Sequence, residues 1–325
     1  MRNVIPPRLR TPAALGAAVI VVAALFLLPL VADNYTLITV ARVAGLGLLA
    51  ASTALMTGVA GLPTLGQVAP YAVGAYTAAH LAHFELPGIV QLLGAAAAAA
   101  VFSLVTGAAV VQTRDVICLM VTLAIGELTA ITAGQWTSLT GGTDGMARVP
   151  ATPVLPGGEN LIKIPDVYTY TVAAALVIVT LTMLVLRSPA GTLIRGCRDN
   201  EARMRASGHR VSLTLLWTFT GAGALAGAGG ALLVSVQRTV SPNNVGFEVA
   251  ALVLLAVVIG GAASIPGALA GVAAVVAVRD TVAPKIPGEA PLLLGVLFIA
   301  AVYLLPGGLS GVAARLGLRK GEAGA

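Results

Sequence analysis

Apolar residues run along this chain in long blocks with little between them. A helix crossing the hydrocarbon layer of a bilayer needs roughly 20 predominantly apolar residues at about 1.5 Å each. The blocks predict about ten membrane segments: Pro12–Val31, Leu37–Met56, Val68–Phe84, Ile89–Val111, Val116–Ala133, Tyr168–Leu186, Leu213–Val236, Val249–Gly261, Ile265–Val278 and Leu292–Leu305. Several fall short of a full crossing. The pattern predicts an all-α, polytopic transmembrane helix bundle.

The polar residues between the blocks set an orientation, because Lys and Arg collect in cytoplasmic loops. With Arg2, Arg8 and Arg10 inside, Arg114 also falls inside. The stretch 137–166 then falls outside, where Asp144, Glu159 and Asp166 face only Arg148 and Lys163. Arg187, Arg195, Arg198, Arg203, Arg205 and Arg210 return inside, as do Arg315, Arg319 and Lys320. Both termini are therefore expected in the cytoplasm. The expected organisation is a tail over 1–11, a transmembrane domain over 12–310 with an inner loop at 187–212 and an outer loop at 134–167, and a tail over 311–325. A single crossing over Val249–Val278 would put the basic tail outside, so two short helices dipping in and back are expected there, separated near Gly260-Gly261. The basic start followed by Ala13–Val31 imitates a signal peptide, but the apolar run is long and lacks a small-x-small cleavage site; a retained first helix is expected.

Composition strengthens the membrane reading. The chain has 325 residues, 58% of them hydrophobic and 10% charged, with a mean hydropathy of +0.95. Soluble domains carry about 25% charged residues, so nearly nothing is left for a soluble domain. The 38 glycines and the alanine runs suit close helix contact in lipid. Gly223-x-x-x-Gly227 and Gly267-x-x-x-Gly271 are read as packing seams. The net charge of +6 reflects topology and excludes no partner except by its placement: it collects in loops, with no nucleic-acid surface. Cys118 and Cys197 both fall near the cytoplasmic face, where a disulfide is not expected.

No engine of its own is visible. The chain has no G-x-x-x-x-G-K-[ST] phosphate cradle, no H-E-x-x-H, no C-x-x-C and no G-x-S-x-G. No catalytic residue, metal ligand set or cofactor is expected; His80 and His83 read as an interfacial pair. Within the spans, Glu127 costs about 2.5–3.5 kcal/mol if charged and facing lipid, by the insertion scale for ionisable residues at a helix centre. It is expected to face the bundle or a cavity, with Arg42 its natural partner in charge. Thr64 and Gln67 lie beside Pro63 and Gly66, a break where freed backbone groups can line a cavity. Arg42, Thr64, Gln67, Thr122 and Glu127 are the candidate lining of a translocation path.

The inner loop is the most informative polar stretch. Residues Asp199–Ala206 are helix-compatible, with Asp199 or Asn200 as N-cap and Gly208 as a stop. A short capped helix on the cytoplasmic face exceeds what topology requires and suits docking of a partner.

Glu201-Ala202 followed by Gly208 resembles the coupling loop of bacterial ABC importer permeases. Arg198-Asp-Asn-Glu201 and the run Ala224–Gly230 resemble one branch in particular, the branched-chain amino acid permeases. Matching pieces recur in order: Gly61-Leu-Pro-Thr-Leu-Gly-Gln67, Gly74-Ala-Tyr76, Thr122-Leu-Ala-Ile-Gly-Glu127, Thr140-Gly-Gly-Thr-Asp-Gly145, Ser241-Pro242, Val258-Ile-Gly-Gly261 and Leu305-Pro-Gly-Gly-Leu309. The resemblance covers roughly residues 40–310. Departures are Thr64 where the family places Ser, Pro63 beside it, and Arg203 and Met204 where alanines follow the coupling Glu, which implies an acidic groove on the partner.

The resemblance implies a permease subunit of the bacterial cytoplasmic (inner) membrane that passes a branched-chain amino acid, or a related solute such as urea or an amide, inward. ATP is bound by two separate ATPase subunits, which engage the loop around Arg195, Arg198, Asp199, Glu201, Ala202 and Gly208. A second homologous permease subunit and an extracytoplasmic solute-binding protein are the other implied partners, the latter meeting Thr140, Gly141, Gly142 and Asp144. The competing expectation is a self-sufficient secondary transporter or channel, which needs coupling-ion ligands in the spans.

Overall fold

A computed structural model describes residues 20–155, 157–158 and 160–282, with the single residues 295 and 308. The N-terminal tail, the first part of Pro12–Val31, Glu159, Leu292–Leu305 apart from residue 295, and the C-terminal tail lie outside the described residues. The described residues form helices α1 (Ile20–Leu30), α2 (Asn34–Ala54), α3 (Val68–His83), α4 (Gly88–Val110), α5 (Asp115–Gln135), the four-residue α6 (Thr137–Thr140), α7 (Ile164–Arg187), α8 (Pro189–Asp199), α9 (Glu201–Ala206), α10 (Val211–Gln237), α11 (Phe247–Gly260) and α12 (Ile265–Val282). Each apolar block from Leu37 to Val278 coincides with one of these helices.

Among the described residues, five helices are long and apolar enough to cross a bilayer, or six with the bent pair α11–α12 taken as one span. They are α2 with its extension to Ala60, α4, α5, α7 and α10. Helix α3, with 16 residues, is shorter. The break after Gly260 turns the chain by 119°, so α12 folds back along α11 rather than continuing it. A long apolar stretch is thereby divided, as the glycine pair suggested.

Helices α2 and α10 are mostly buried and form the centre, whereas α4, α5 and α7 turn most of their surface outward. Helix α10 packs on α2, α3 and α4. It runs antiparallel to α2: a Cβ on Gly45 would lie 3.3 Å from Leu233 N, and one on Gly229 would lie 3.0 Å from Leu48 Cβ. The start of α2 and the end of α10 therefore share one end of the bundle, with the loop 141–163 and the start of α7. The end of α2 and the start of α10 share the other, with α8 and α9.

Small residues are used where the notional seams were read. A Cβ on Gly227 would meet the Cβ of Ala99 and lie 2.9 Å from the Ala95 carbonyl oxygen, so α10 and α4 touch backbone to side-chain root. Gly267 and Gly271 abut the backbone at Gly260 and Ala256 and close the α11–α12 hairpin in the same way. In lipid such contact supplies the dispersion energy that water would otherwise drive.

Overpacking of this kind costs about 1–3 kcal/mol. Gly227→Val should lower the melting temperature of the purified protein clearly. Gly221→Ala, on the same helix but with nothing within 4 Å of the new Cβ, should leave it unchanged or raise it slightly.

Candidate functional site

Helix α2 does not end cleanly. Leu55–Ala60 widens into a π turn, and Gly61 closes it at φ 76°, a left-handed conformation that glycine tolerates without strain. Leu62 N–H then donates back to the Met56 carbonyl at 3.0 Å. The next residues, up to Gln67, form no helix, although Leu62, Thr64, Gly66 and Gln67 are buried. Irregular backbone at this depth must find its hydrogen bonds within the protein.

It finds them from three directions. Leu65 N–H donates to Thr122 Oγ1 at 3.3 Å, and Gly66 N–H donates to Thr64 Oγ1 at 3.1 Å. The Gly58 carbonyl accepts from the Arg198 guanidinium, whose stem lies over Gly61. Ser52 Oγ donates to Gln67 Oε1 at 2.9 Å, which leaves Gln67 Nε2 buried without a partner among the described residues. One turn along α3, the fully buried Tyr71 hydroxyl is also without one. Such orphaned polar groups cost about 1–3 kcal/mol each.

Thus Thr64, Gln67 and Thr122 come together, and Ser52, Gly58 and Tyr71 join them. Arg42 and Glu127 stand apart. Arg42 does not pair with Glu127; it pairs with Asp280 of α12, at the far end of α2. The antiparallel packing of α12 on α2 decides this, and no pattern in the sequence announces it. Glu127 faces away from Thr122 on an outward stripe of α5 with Met120 and Ile131, and makes no hydrogen bond or ion pair among the described residues.

The second part of the site is the basic loop. It is two helices, not one. Pro189 at the first turn and the apolar Ile194 and Cys197 at near-helical spacing give α8, which the sequence reading passed over. Ile194 and Cys197 pack with Met56, Val59, Ala60, Val110, Leu215 and Phe219 in a small core beneath the π turn. Helix α9 is capped by Asn200, whose Oδ1 accepts from Arg203 N–H at 2.9 Å, and it stops at Gly208 with φ 81°.

Three ties fix these helices to the bundle. Arg195 donates to the Leu186 carbonyl at the end of α7 at 3.0 Å. Arg198 reaches Gly58. Glu201 accepts from Arg114 through both oxygens, at 2.7 and 3.2 Å, and from Arg205 at 3.1 Å. Arg114 also caps the end of α4 through Val111 and Thr113. Glu201 is therefore engaged within the chain, and the outward face of α9 is carried by Ala202, Arg203 and Ala206, with Asp199 exposed beside it. Cys118 and Cys197 are free, buried thiols in the core beneath the π turn. Burial pushes the Cys197 thiol up from its usual range, and the Glu201 carboxylate adds to the shift.

At the other end, Thr140 Oγ1 donates to the Ala133 and Trp136 carbonyls, Gly142 is buried, and Gly141 and Gly142 both have positive φ. Met146 pairs with Val240, so this turn is seated on the end of α10; Asp144 remains exposed. His80 contacts the Leu139 carbonyl at 2.6 Å, and His83 contacts that of Ala79 at 2.8 Å. A wide hollow of about 640 Å³ between α3, α4 and α5 is apolar; its Thr77, Thr106, Thr129 and Thr132 hydroxyls donate back into their own helices. Tyr76, whose hydroxyl is buried without a partner among the described residues, and His80 also line it.

These helices define a polytopic membrane protein with a structured polar loop braced into a break in its central span. Within that class, the chain belongs to the branched-chain amino acid transport system / permease component family, whose profile matches residues 35–302. It is 33% identical over 257 residues, 71% of this chain, to the high-affinity branched-chain amino acid transport system permease protein LivM of Escherichia coli (strain K12). The protein of the same name from Salmonella typhimurium (strain LT2) is equally similar. The chain spans 59% of the length of these relatives. No solved structure matches it. The family read from the ordered motifs is thereby borne out.

Two measurements check the loop. Asn200→Ala removes the cap and should cost about 1 kcal/mol of local helix stability, seen as severalfold faster amide exchange at Arg203, with exchange in α10 unchanged. Because the thiolate is the reactive species, Cys197 should be alkylated slowly at neutral pH, and faster as pH rises through its elevated pKa.

Proposed function

We propose that the chain is the permease subunit of an ABC importer in the bacterial cytoplasmic membrane, passing a branched-chain amino acid or a related small solute inward while separate ATPase subunits bind and hydrolyse ATP. The observation that carries this reading is the tie between Arg198 and Gly58. A docking helix moves a membrane path only if it is rigidly joined to it, and here α8 grips the π turn that leads into the Thr64–Gln67 break.

In this reading α8 and α9 face the cytoplasm with both termini, as the distribution of arginines requires. The ATPase subunits meet Ala202, Arg203 and Ala206, while Arg195, Arg198 and Glu201 anchor the helices from behind. The arginines steer and select the partner more than they hold it. The orphaned groups of Gln67 and Tyr71 belong to a closed position of the path and gain partners when it opens. The outward stripe of α5 meets a second homologous permease subunit, which spares Glu127 exposure to lipid. The exposed Asp144 and its neighbours in the Thr140–Gly145 turn meet the solute-binding protein. About ten membrane segments, counting those outside the described residues, complete the bundle.

The test is uptake of labelled leucine by proteoliposomes that contain the chain with its ATPase, permease and binding-protein partners. Uptake should require internal or external ATP on the ATPase side and stop when the ATPase site is disabled. Uptake that persists under a proton or sodium gradient alone would point instead to a secondary transporter.

A further inference from the structure

At the end of the bundle opposite α8 and α9, the start of α2, the end of α10, the start of α11 and the end of α12 enclose a recess of about 270 Å³. Its polar lining is Arg42, Gln237, Glu248, Arg279 and Asp280, and its apolar wall includes Leu46, Leu252 and Val276. In a chain with so few charges, four meeting in one hollow is a feature that helix packing does not require.

We propose that this recess is a receiving site for a small zwitterion, holding the ammonium and carboxylate of an amino acid between its two ion pairs. Two guanidinium groups and two carboxylates make the recess neutral overall. A lone anion or cation would gain one set of groups and be repelled by the other. A dipolar solute of zero net charge satisfies both at once, its carboxylate toward the arginine forks and its ammonium toward the acids.

The two pairs are not equivalent. Arg42 and Asp280 are in close contact and largely shielded, and they join α2 to α12. Arg42 Nε is buried and has no hydrogen-bond partner among the described residues. Arg279 and Glu248 are 3.5 Å apart, at the limit of a hydrogen bond, and are 47% and 78% exposed. An exposed pair held this loosely opens at little cost, which lets a solute insert between its members. The apolar wall below accepts an aliphatic side chain, and the volume of about 270 Å³, just under the roughly 300 Å³ at which small-molecule pockets begin, suits one small solute. Arg42 lies two turns into α2, so the recess leads from the rim toward the span that ends at the Thr64–Gln67 break.

The placement at an outer mouth rests on the orientation and transport reading above, whereas the binding chemistry does not. The probe is L-leucine, with 3-methylbutylamine and 4-methylpentanoate as analogues that keep the branched tail but only one charge each. Saturation-transfer NMR is recorded on the full chain in phosphatidylcholine and phosphatidylglycerol nanodiscs, with empty nanodiscs subtracted to remove partition into lipid. Transfer to the leucine methyls should exceed that to either analogue by roughly fivefold or more. Glu248→Gln and Arg279→Gln should each reduce it by a similar factor without moving the melting temperature, because that pair is exposed. Asp280→Asn should lower both binding and melting temperature, as expected where one pair serves packing and recognition together. Absence of leucine transfer in the unaltered chain, equal transfer from the three probes, or undiminished transfer in both neutralised variants would overturn the proposal and leave two structural ion pairs. None of these readouts involves ATP or the partners, so they stand or fall separately from the uptake test.

Discussion

The structure depends on one constraint: backbone that leaves a helix inside a membrane must still find hydrogen-bond partners, and no water is there to supply them. The central span α2 meets this constraint at its end. Its π turn and the break that follows expose the Gly58 carbonyl and the Leu65 and Gly66 amides. The partners come from α8, from α5 and from the break itself. A local irregularity therefore binds together parts of the chain far apart in sequence, and it joins the polar loop helices to the buried end of the central span. Were α2 a straight helix, Arg198 would have no carbonyl to reach, and only the Arg195–Leu186 and Arg114–Glu201 ties and apolar contact would hold the loop to the bundle.

The antiparallel pair α2–α10 sorts the polar groups into two places. One end holds the Ser52, Gln67 and Thr122 nest beside the loop helices. The other holds Arg42, Asp280, Glu248 and Arg279 in an open recess. Both sit on α2, and most of what lies between them is apolar and closely packed. The transport reading proposed above takes these as two polar stations joined through a closed middle. Small residues keep that middle thin, since Gly45, Gly227 and Gly229 let backbones approach where side chains would hold them apart.

Much of the fold was legible beforehand. Helix positions followed from block hydrophobicity, because a bilayer demands long apolar runs and punishes anything else. The Asn200 cap and the Gly208 stop were legible because capping is local chemistry, decided within four residues. Helix α8 was passed over: with Arg195 and Arg198 among its residues, it reads as loop until Ile194 and Cys197 are seen to share a face. The bend at Gly260-Gly261 was legible as a break, while its angle of 119° depends on Gly267 and Gly271 seating on α11. The site was less legible than the fold. Thr64 and Gln67 stand out in the sequence because polar residues beside Pro63 and Gly66 in a span are conspicuous, whereas Thr122 is marked only by the motif it opens. Arg198 reads in the sequence as part of a docking loop, and its bond to the Gly58 carbonyl is visible only in the structure.

By itself, the sequence determined that this is a membrane protein, roughly where its helices lie, which loops are basic, and, through short motifs kept in order, its family. Those properties depend on composition and on neighbours a few residues apart. Tertiary structure alone decided which charges meet across the bundle. Arg42 faces Asp280 across 238 residues and Arg114 faces Glu201 across 87, while Glu127, the residue most in need of a partner, has none among the described residues. Pairing of that kind depends on how helices cross and in which direction they run, and a one-dimensional pattern of apolar blocks carries no record of either.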